Sequence, residues 1–261
     1  MIKSESVNLL GIDIAKMPMV DLIEYCDSHI VDRQPALLGV VNVAKLVNSR
    51  KDQKLRTSVQ EADVVLADGL PVVWLSRLVG DPLPERVAGI DIMHRLLDLA
   101  DRKHYSVYFL GAKPEVVEKV AEYTKTCHPG ARIAGYRDGY FTAEQEEQVA
   151  VDIQRSRADI LFVAMTSPKK ENFLRCYGPM MQVPICHGVG GSFDVVAGVT
   201  KRAPMWMQGW GLEWLYRVIQ EPGRMWKRYM VTNTKFIGLS LVEIVRHRLG
   251  WARLKAREGS Q

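Results

Sequence analysis

Short apolar runs alternate along residues 1–198 with longer stretches in which apolar residues recur at helical spacing. The short runs predict buried strands at Leu37–Val41, Val64–Ala67, Ser106–Leu110, Arg132–Gly135, Ile160–Ala164 and Pro184–Val189. The longer stretches predict helices at Met19–Val31, Lys51–Glu61, Ile90–Arg102, Pro114–Thr126, Ala143–Arg157 and Lys169–Cys176. This alternation is typical of an α/β fold in which helices flank a mostly parallel sheet.

The end of the chain has a different pattern. Residues 201–261 contain twelve of the 35 Lys and Arg residues, five of the six Trp residues and only four Glu. This segment therefore carries about +8, and the whole-chain charge of +5 leaves about −3 for the rest. We expect a body at 1–198 and a basic, helical, Trp-rich appendage at 199–261. Such a surface suits lipid headgroups or a phosphate-rich ligand, and a solvated helical face explains it equally well.

Composition limits the class of protein. With 261 residues and 47% hydrophobic content, the chain can form one large domain or a domain with an appendage. The four cysteines are too scattered to suggest a zinc site or a disulfide framework. The N-terminus lacks the apolar core of a signal peptide, and the apolar stretch Phe236–Val242 is far shorter than the roughly 20 residues that span a bilayer. We therefore expect a cytoplasmic protein whose tail lies on a membrane surface.

Polar residues and glycines directly follow the predicted strands. They are Asn42, Asp68 with Gly69, Gly111, residues 166–170 and residues 188–194. Ligands of parallel sheets bind beyond the carboxyl ends of the strands, so these positions form a candidate crevice. Asp68 is a candidate general base there, and capping of a helix that begins near Leu70 is an equally good interpretation.

The segment Gly188–Ser192 can bring backbone N–H groups close to a diphosphate. It is not a dinucleotide-binding fingerprint, because Phe193 occupies the position of the third glycine, and the chain has no P-loop. The sequence also lacks D-x-D and H-x-x-x-H patterns. We therefore expect no metal, so that arginines, lysines and backbone dipoles meet the charge of a departing phosphate.

Several longer segments occur together in one order and spacing. They are Ala67–Gly69, Arg86–Asp91, Ser167–Glu171, Gly188–Gly198, Arg202–Pro204, Leu212–Arg217, Gln220–Pro222 and Arg228-Tyr229. In these segments the chain, from roughly Leu9 to Phe236, resembles the WecG/TagA/CpsF glycosyltransferases of glycosyltransferase family 26. The resemblance implies inverting transfer from a UDP-sugar to an undecaprenyl-diphosphate-linked saccharide, on the cytoplasmic face of the membrane, in cell-surface polysaccharide synthesis.

The resemblance also implies roles for individual residues. The body would be Rossmann-like and would bind the nucleotide sugar, with Asp68 as catalytic base and with no cofactor or metal. Together with the polar positions that follow the strands, this makes Asn42, Arg86, Gly111, Lys170, Gly188, Gly190 and Asp194 the candidate donor-binding residues. Residues that meet the diphosphate of donor or acceptor would be Arg86, Arg217, Arg224 and Arg228.

The chain departs from the family pattern at two positions. Val40 stands where the family usually has Thr, and Lys170 stands where it usually has Gln. The added cation at Lys170 either favours a uronic acid or a phosphate, or forms a salt bridge near Glu171. The usual donor of the family is UDP-N-acetylmannosamine, and UDP-glucose and UDP-glucuronate are therefore alternative donors. Among the remaining acids, Asp91 either caps a helix, which we favour, or binds substrate, and Asp194 either contacts a sugar hydroxyl or stabilises its loop.

Two other classes of protein compete with the enzyme. A non-catalytic, membrane-peripheral adaptor would explain the basic tail but has no use for Asn42, Asp68 and Arg86 at strand ends. A nucleic-acid-binding protein is disfavoured because no helix-turn-helix or zinc pattern is present. Exposed apolar surface in the tail would favour membrane docking or a homo-oligomer.

Overall fold

Eight strands form two sheets in the computed structural model, which describes residues 5–166 and 169–258. The strands are β1 (Ser6–Leu9), β2 (Ile12–Ala15), β3 (Ala36–Val41), β4 (Val64–Ala67), β5 (Ser106–Gly111), β6 (Arg132–Arg137), β7 (Ile160–Ala164) and β8 (Ile185–Gly188). Strands β3 to β8 form one sheet in the order β4-β3-β8-β7-β5-β6, with every neighbouring pair parallel.

Helices connect these strands and extend beyond the last one. They are α1 (Met19–Val31), α2 (Val43–Ser49), α3 (Gln53–Gln60), α4 (Leu70–Leu78), α5 (Gly89–Lys103), α6 (Pro114–Cys127), α7 (Glu146–Ser156), α8 (Lys169–Met181), α9 (Ser192–Val196), α10 (Met205–Gly209), α11 (Glu213–Gln220) and α12 (Pro222–Glu258). A 3₁₀ turn at Ala143–Gln145 precedes α7, where the sequence predicts continuous helix.

The predicted α/β fold is confirmed, and each predicted strand and helix is present. The strands β4, β5, β7 and β8 are buried along their whole length, which explains why they read as continuous apolar runs. The edge strand β6 is only partly buried. One hydrophobic cluster includes Phe109, Phe162 and Phe193, and it covers one face of the sheet beneath α1, α5 and α6. The sheet is therefore a rigid support for whatever follows its carboxyl ends.

The β1–β2 hairpin is not predicted by the sequence pattern. Its two strands are antiparallel, with Leu9 paired to Ile12, so the loop consists of Leu10 and Gly11 alone. Both loop residues have positive φ angles, 53° and 85°, as a tight hairpin turn requires. Leucine rarely takes this conformation, so the local sequence carries no ordinary turn signal.

The C-terminal segment packs against the body near the first residues of the chain. Phe236 of α12 is buried in a cluster that includes residues of the hairpin, α2 and α4, and Leu239 and Ile244 pack beside it. The proposed division at residues 198 and 199 stays a prediction. Within the described residues, no helix has the length and apolar composition needed to cross a membrane.

Candidate active site

A polar cavity of about 240 Å³ lies at the carboxyl edge of the sheet. Asp68 follows β4, Asn42 follows β3 and Gly188 ends β8, and these three strands are neighbours. Parallel neighbours end at the same edge, so residues far apart in sequence meet there. The backbone N–H of Asp68 donates to the carbonyl of Val41 at 2.8 Å, which keeps the end of β4 beside the end of β3. The predicted residues that line this cavity are Asn42, Asp68, Lys170, Gly188, Gly190, Asp194 and Arg217.

Two of the lining glycines have structural reasons. A Cβ atom on Gly188 would come within 2.8 Å of Cε of Lys170, so glycine lets the lysine side chain pass over the end of β8. Gly190 has a φ angle of 55°, in the left-handed region that favours glycine. Gly188 therefore leaves space for the Lys170 side chain, and Gly190 allows the backbone to turn at this edge of the sheet.

Asn42 also caps α2. Its side-chain oxygen accepts a hydrogen bond from the backbone N–H of Lys45 at 3.1 Å. The Nζ atom of Lys45 donates to the carbonyl of Val40 at 2.9 Å, and the side chain lines the polar cavity. Lys45 is not among the predicted site residues because the sequence does not predict α2. The signal that could have identified Lys45 is its position three residues after Asn42, which caps that helix.

Lys45 and Lys170 place two ammonium groups near one carboxylate. The Nζ atom of Lys170 lies 3.3 Å from Oε1 of Glu171, and the Nζ atom of Lys45 lies 3.9 Å from the same oxygen. The structure therefore supports the second interpretation of Lys170, in which its side chain forms a salt bridge with Glu171. Burial and the charge of Lys170 lower the pKa of Lys45 to about 8, although Glu171 and Asp68 act in the opposite direction.

Asp68 does not cap α4. The N-cap residue of this helix is Gly69, and no side chain accepts a hydrogen bond from its first turn. The capping interpretation of Asp68 is therefore wrong, and its half-buried carboxyl lines the polar cavity.

Burial raises the pKa of Asp68 above its ordinary value, and the nearby carboxylate of Glu213 adds to this effect. Arg217, Arg86 and Lys45 act in the opposite direction because their positive charges stabilise the carboxylate. A carboxyl with a raised pKa is a stronger base when it is ionised, so the site favours proton acceptance.

The expectation that Asp91 caps a helix is wrong. The N-cap of α5 is Ala88, and the Asp91 carboxylate accepts two bonds from Arg202, at 2.7 and 2.9 Å. The second partner of Asp91 is Arg86, at 3.3 Å, and Arg86 also contacts Glu213 at 2.6 Å. These four side chains link α5 to the segment that carries α11.

This ion-pair network changes the position expected for Arg86. Its guanidinium group is engaged by Asp91 and Glu213, and the described residues that line the polar cavity do not include it. Glu213 lines the cavity instead. Glu213 belongs to the Leu212–Arg217 segment of the resemblance, which assigns it no role.

An apolar groove of about 520 Å³ adjoins the polar cavity and runs between α4 and α12. Asn42, Asp68, Glu213 and Arg217 line both spaces. Arg228, expected at a diphosphate, lines the groove only. Asp68 therefore stands at a junction, with a polar space on one side and an apolar space on the other.

Besides Arg86, two expected site residues are not placed in either space. Gly111 ends β5, three strands away from β3. Glycine occurs there because φ is 119° and because a Cβ atom would come within 2.4 Å of the Ala164 carbonyl oxygen. The side chain of Arg224 lies outside the described residues. Among the described residues, no group of three or more His, Cys, Asp or Glu could hold a metal ion.

Comparison with known proteins identifies relatives over most of the chain. The family model for glycosyl transferases of the WecG/TagA/CpsF family matches residues 7–250. An N-acetylglucosaminyldiphosphoundecaprenol N-acetyl-beta-D-mannosaminyltransferase of Bacillus subtilis strain 168 is 36% identical over 213 residues, which are 81% of this chain and 82% of the relative. A protein of the same name from Bacillus spizizenii strain W23 is 34% identical over 227 residues, 87% of each chain.

Proposed function

The chain belongs to the WecG/TagA/CpsF family of glycosyltransferases, and from that premise we propose its substrates and mechanism. The protein transfers a hexose, with inversion, from a UDP-sugar to an undecaprenyl-diphosphate-linked saccharide in cell-surface polysaccharide synthesis. It does so while bound to the inner face of the cell membrane. The names of the two relatives support the acceptor, because both name an N-acetylglucosaminyldiphosphoundecaprenol.

The position of Asp68 between the two spaces carries the proposal. A sugar nucleotide is polar and suits the cavity lined by Lys45, Lys170 and Asp194, whereas a lipid-linked acceptor needs an apolar approach. The reacting atoms of the two substrates meet where the spaces join. Asp68 lines this junction, within reach of both.

The proposed step is a direct displacement. The Asp68 carboxylate takes the proton of the acceptor hydroxyl as its oxygen attacks the anomeric carbon. A new carbon–oxygen bond forms on one face of the sugar, and the bond to the β-phosphate breaks on the opposite face. Its electron pair leaves with UDP. Inversion at the anomeric carbon follows from attack opposite the leaving group.

Arginine side chains bind the diphosphate groups of the two substrates. Arg217 lines both spaces and faces the diphosphate of either substrate, and Arg228 faces the diphosphate of the acceptor from the groove. Arg224 is assigned to the same task from the resemblance alone. Arg86 acts indirectly, because its contacts with Asp91 and Glu213 hold Glu213 beside Asp68. No metal enters this scheme.

The Lys170–Glu171 ion pair bears on the choice of donor. Since Glu171 offsets the added cation, the site does not require an acidic sugar. Both relatives are named N-acetyl-beta-D-mannosaminyltransferases, so we propose UDP-N-acetylmannosamine as the donor. In a donor screen with EDTA present, we expect this donor to outcompete UDP-glucose and UDP-glucuronate. Product analysis by mass spectrometry measures the preference. Restored turnover on addition of Mg²⁺, or preferred use of UDP-glucuronate, would contradict these assignments.

The principal test is Asp68→Asn. The amide cannot accept the proton, so we expect kcat to fall by about 10²- to 10⁴-fold with purified lipid-diphosphate acceptor. Asp21→Asn, at an exposed position of α1, is the matched control and keeps normal activity. Circular dichroism checks the fold of both variants. Near-normal activity of Asp68→Asn would remove it as the base, and vesicle binding without transfer from any UDP-sugar would favour the adaptor.

A further inference from the structure

The groove between α4 and α12 is lined by apolar side chains that face water. Leu70, Trp74 and Leu78 stand on one side, and Ile237 and Leu241 stand on the other. The last four are exposed over 44% to 61% of their surface. Exposed apolar side chains that converge on one concave space mark a binding site for an apolar group.

One end of this groove is polar and charged. Asp68, Asn42 and Glu213 line it where it joins the polar cavity, and Arg217 and Arg228 add two positive charges. The charge of Glu213 is offset by Arg86, which contacts it at 2.6 Å, so the two arginines face the single carboxyl group of Asp68. The groove therefore presents a cationic end and a hydrocarbon-like length. That distribution matches a molecule with an anionic head and an apolar chain.

We propose that this groove binds the first isoprene units of the acceptor's polyprenyl chain, an inference that rests on the proposed function. The diphosphate would lie near Arg217 and Arg228, which places the linked saccharide at Asp68. From there, the polyprenyl chain of the acceptor would extend past Ile237 and Leu241, both on α12. The groove would thus set the distance between the lipid and the hydroxyl that reacts.

A second copy of the protein is a poorer occupant of the groove. In a symmetric contact through this surface the C-terminal segments of both copies meet, and each carries about +8, so they repel. A polyprenyl diphosphate brings negative charge to the same cationic end. Charge complementarity therefore favours the lipid over self-association at this surface.

The test compares adjacent residues of α12. Leu241 lines the groove and is 61% exposed, whereas Val242 is 58% exposed and is not among its lining residues. Leu241→Glu and Val242→Glu remove similar exposed apolar surface and add the same charge. Because both positions are exposed, neither change should unfold the helix. Circular dichroism checks this directly.

Soluble acceptors with two and four isoprene units are assayed without vesicles or detergent. We expect the longer acceptor to have a KM at least about tenfold lower in the original protein. Val242→Glu keeps this difference, and Leu241→Glu abolishes it. A KM that does not depend on chain length, or equal effects of the two variants, would overturn the groove assignment.

Direct binding separates this inference from the proposed function. Geranylgeranyl diphosphate is titrated against each protein, with the fluorescence of Trp74 and Trp214 at the groove as the signal. Binding that Leu241→Glu weakens at least tenfold supports the groove even if no acceptor is glycosylated. Unchanged binding in Leu241→Glu would contradict the groove even if transfer is observed. Equal competition by a single-chain lysophosphatidic acid would assign the groove to general lipid anchoring and overturn its selectivity for the prenyl acceptor.

Discussion

At Asp68, both burial and neighbouring charges shift the pKa of the carboxyl group. Desolvation and the Glu213 carboxylate raise the pKa of Asp68, and three cations limit that rise. As the pH is lowered, Asp68 should therefore become protonated, and activity should be lost, at a higher pH than for an ordinary carboxyl group. For folding, a raised pKa means that the contribution of Asp68 to stability is present at low pH and is lost as the pH rises through its folded-state pKa.

Glu213→Gln tests this electrostatic arrangement. Removing the negative charge lowers the pKa of Asp68, and it also frees Arg86 to stabilise the Asp68 carboxylate. Both effects have the same sign, so we expect the acid limb of the kcat/KM profile to move to lower pH. The limb is measured from about pH 4 to 8 with a fixed acceptor. An unchanged limb, or one moved to higher pH, would mean that another group limits the reaction.

Among the elements, α12 connects the hairpin and α2 to the groove. It is 37 residues long, and Phe236 anchors it in the cluster that contains residues of β1, β2 and α4. The Arg202–Asp91 pair provides a second attachment of the C-terminal segment, because Asp91 belongs to α5. These contacts place Arg217 and Arg228 at the groove, so the site depends on how α11 and α12 dock.

Phe236→Ala should weaken this docking. Phe236 is 7% exposed, and truncating such a side chain typically costs about 3 kcal/mol in the free energy of unfolding. Val231→Ala, at a position on the same helix that is 50% exposed, should change it by less than about 0.5 kcal/mol. Urea denaturation measures both values, and amide exchange shows whether α12 loses protection first. Equal effects of the two variants would mean that Phe236 does not anchor the helix.

At the scale of the whole molecule, charge is separated along the chain. The first 200 residues carry about −3 and the remainder about +8. A negatively charged membrane would therefore attract one part of the molecule and weakly repel the other, which favours a single orientation. In the proposed function, this orientation brings the groove toward the lipid that carries the acceptor.

Vesicle binding tests this whole-molecule asymmetry. We expect binding to anionic vesicles to weaken as NaCl rises from about 50 to 300 mM, because salt screens surface charges. Lys227→Gln, at an exposed position of α12, should reduce the affinity by about fivefold, following the roughly 1 kcal/mol expected for each cation near the surface. Lys54→Gln, at an exposed position of α3, is the control. Co-sedimentation measures the affinities, and salt-independent binding would contradict an electrostatic attachment.

The fold was predictable because its signals are local. Buried strands such as Val64–Ala67 and Ile160–Ala164 are continuous apolar runs, and their observed bounds are the predicted ones. The order of residues after the strands also identified Asp68, Asn42 and the glycine segment, since parallel strands end at one edge. The β1–β2 hairpin escaped prediction because Leu10 takes a conformation that its residue type rarely adopts.

The α/β architecture, the family, and the placement of Asn42, Asp68 and the Gly188–Ser192 segment at the carboxyl edge of the sheet follow from the amino-acid sequence. The pairing of charges and the convergence of apolar side chains follow from tertiary packing instead. Arg86 and Glu213 are 127 positions apart and contact each other only because α11 docks beside the end of β4. The groove likewise needs α4 and α12 side by side. Such contacts depend on packing between distant segments, and no local pattern of residue types encodes that packing.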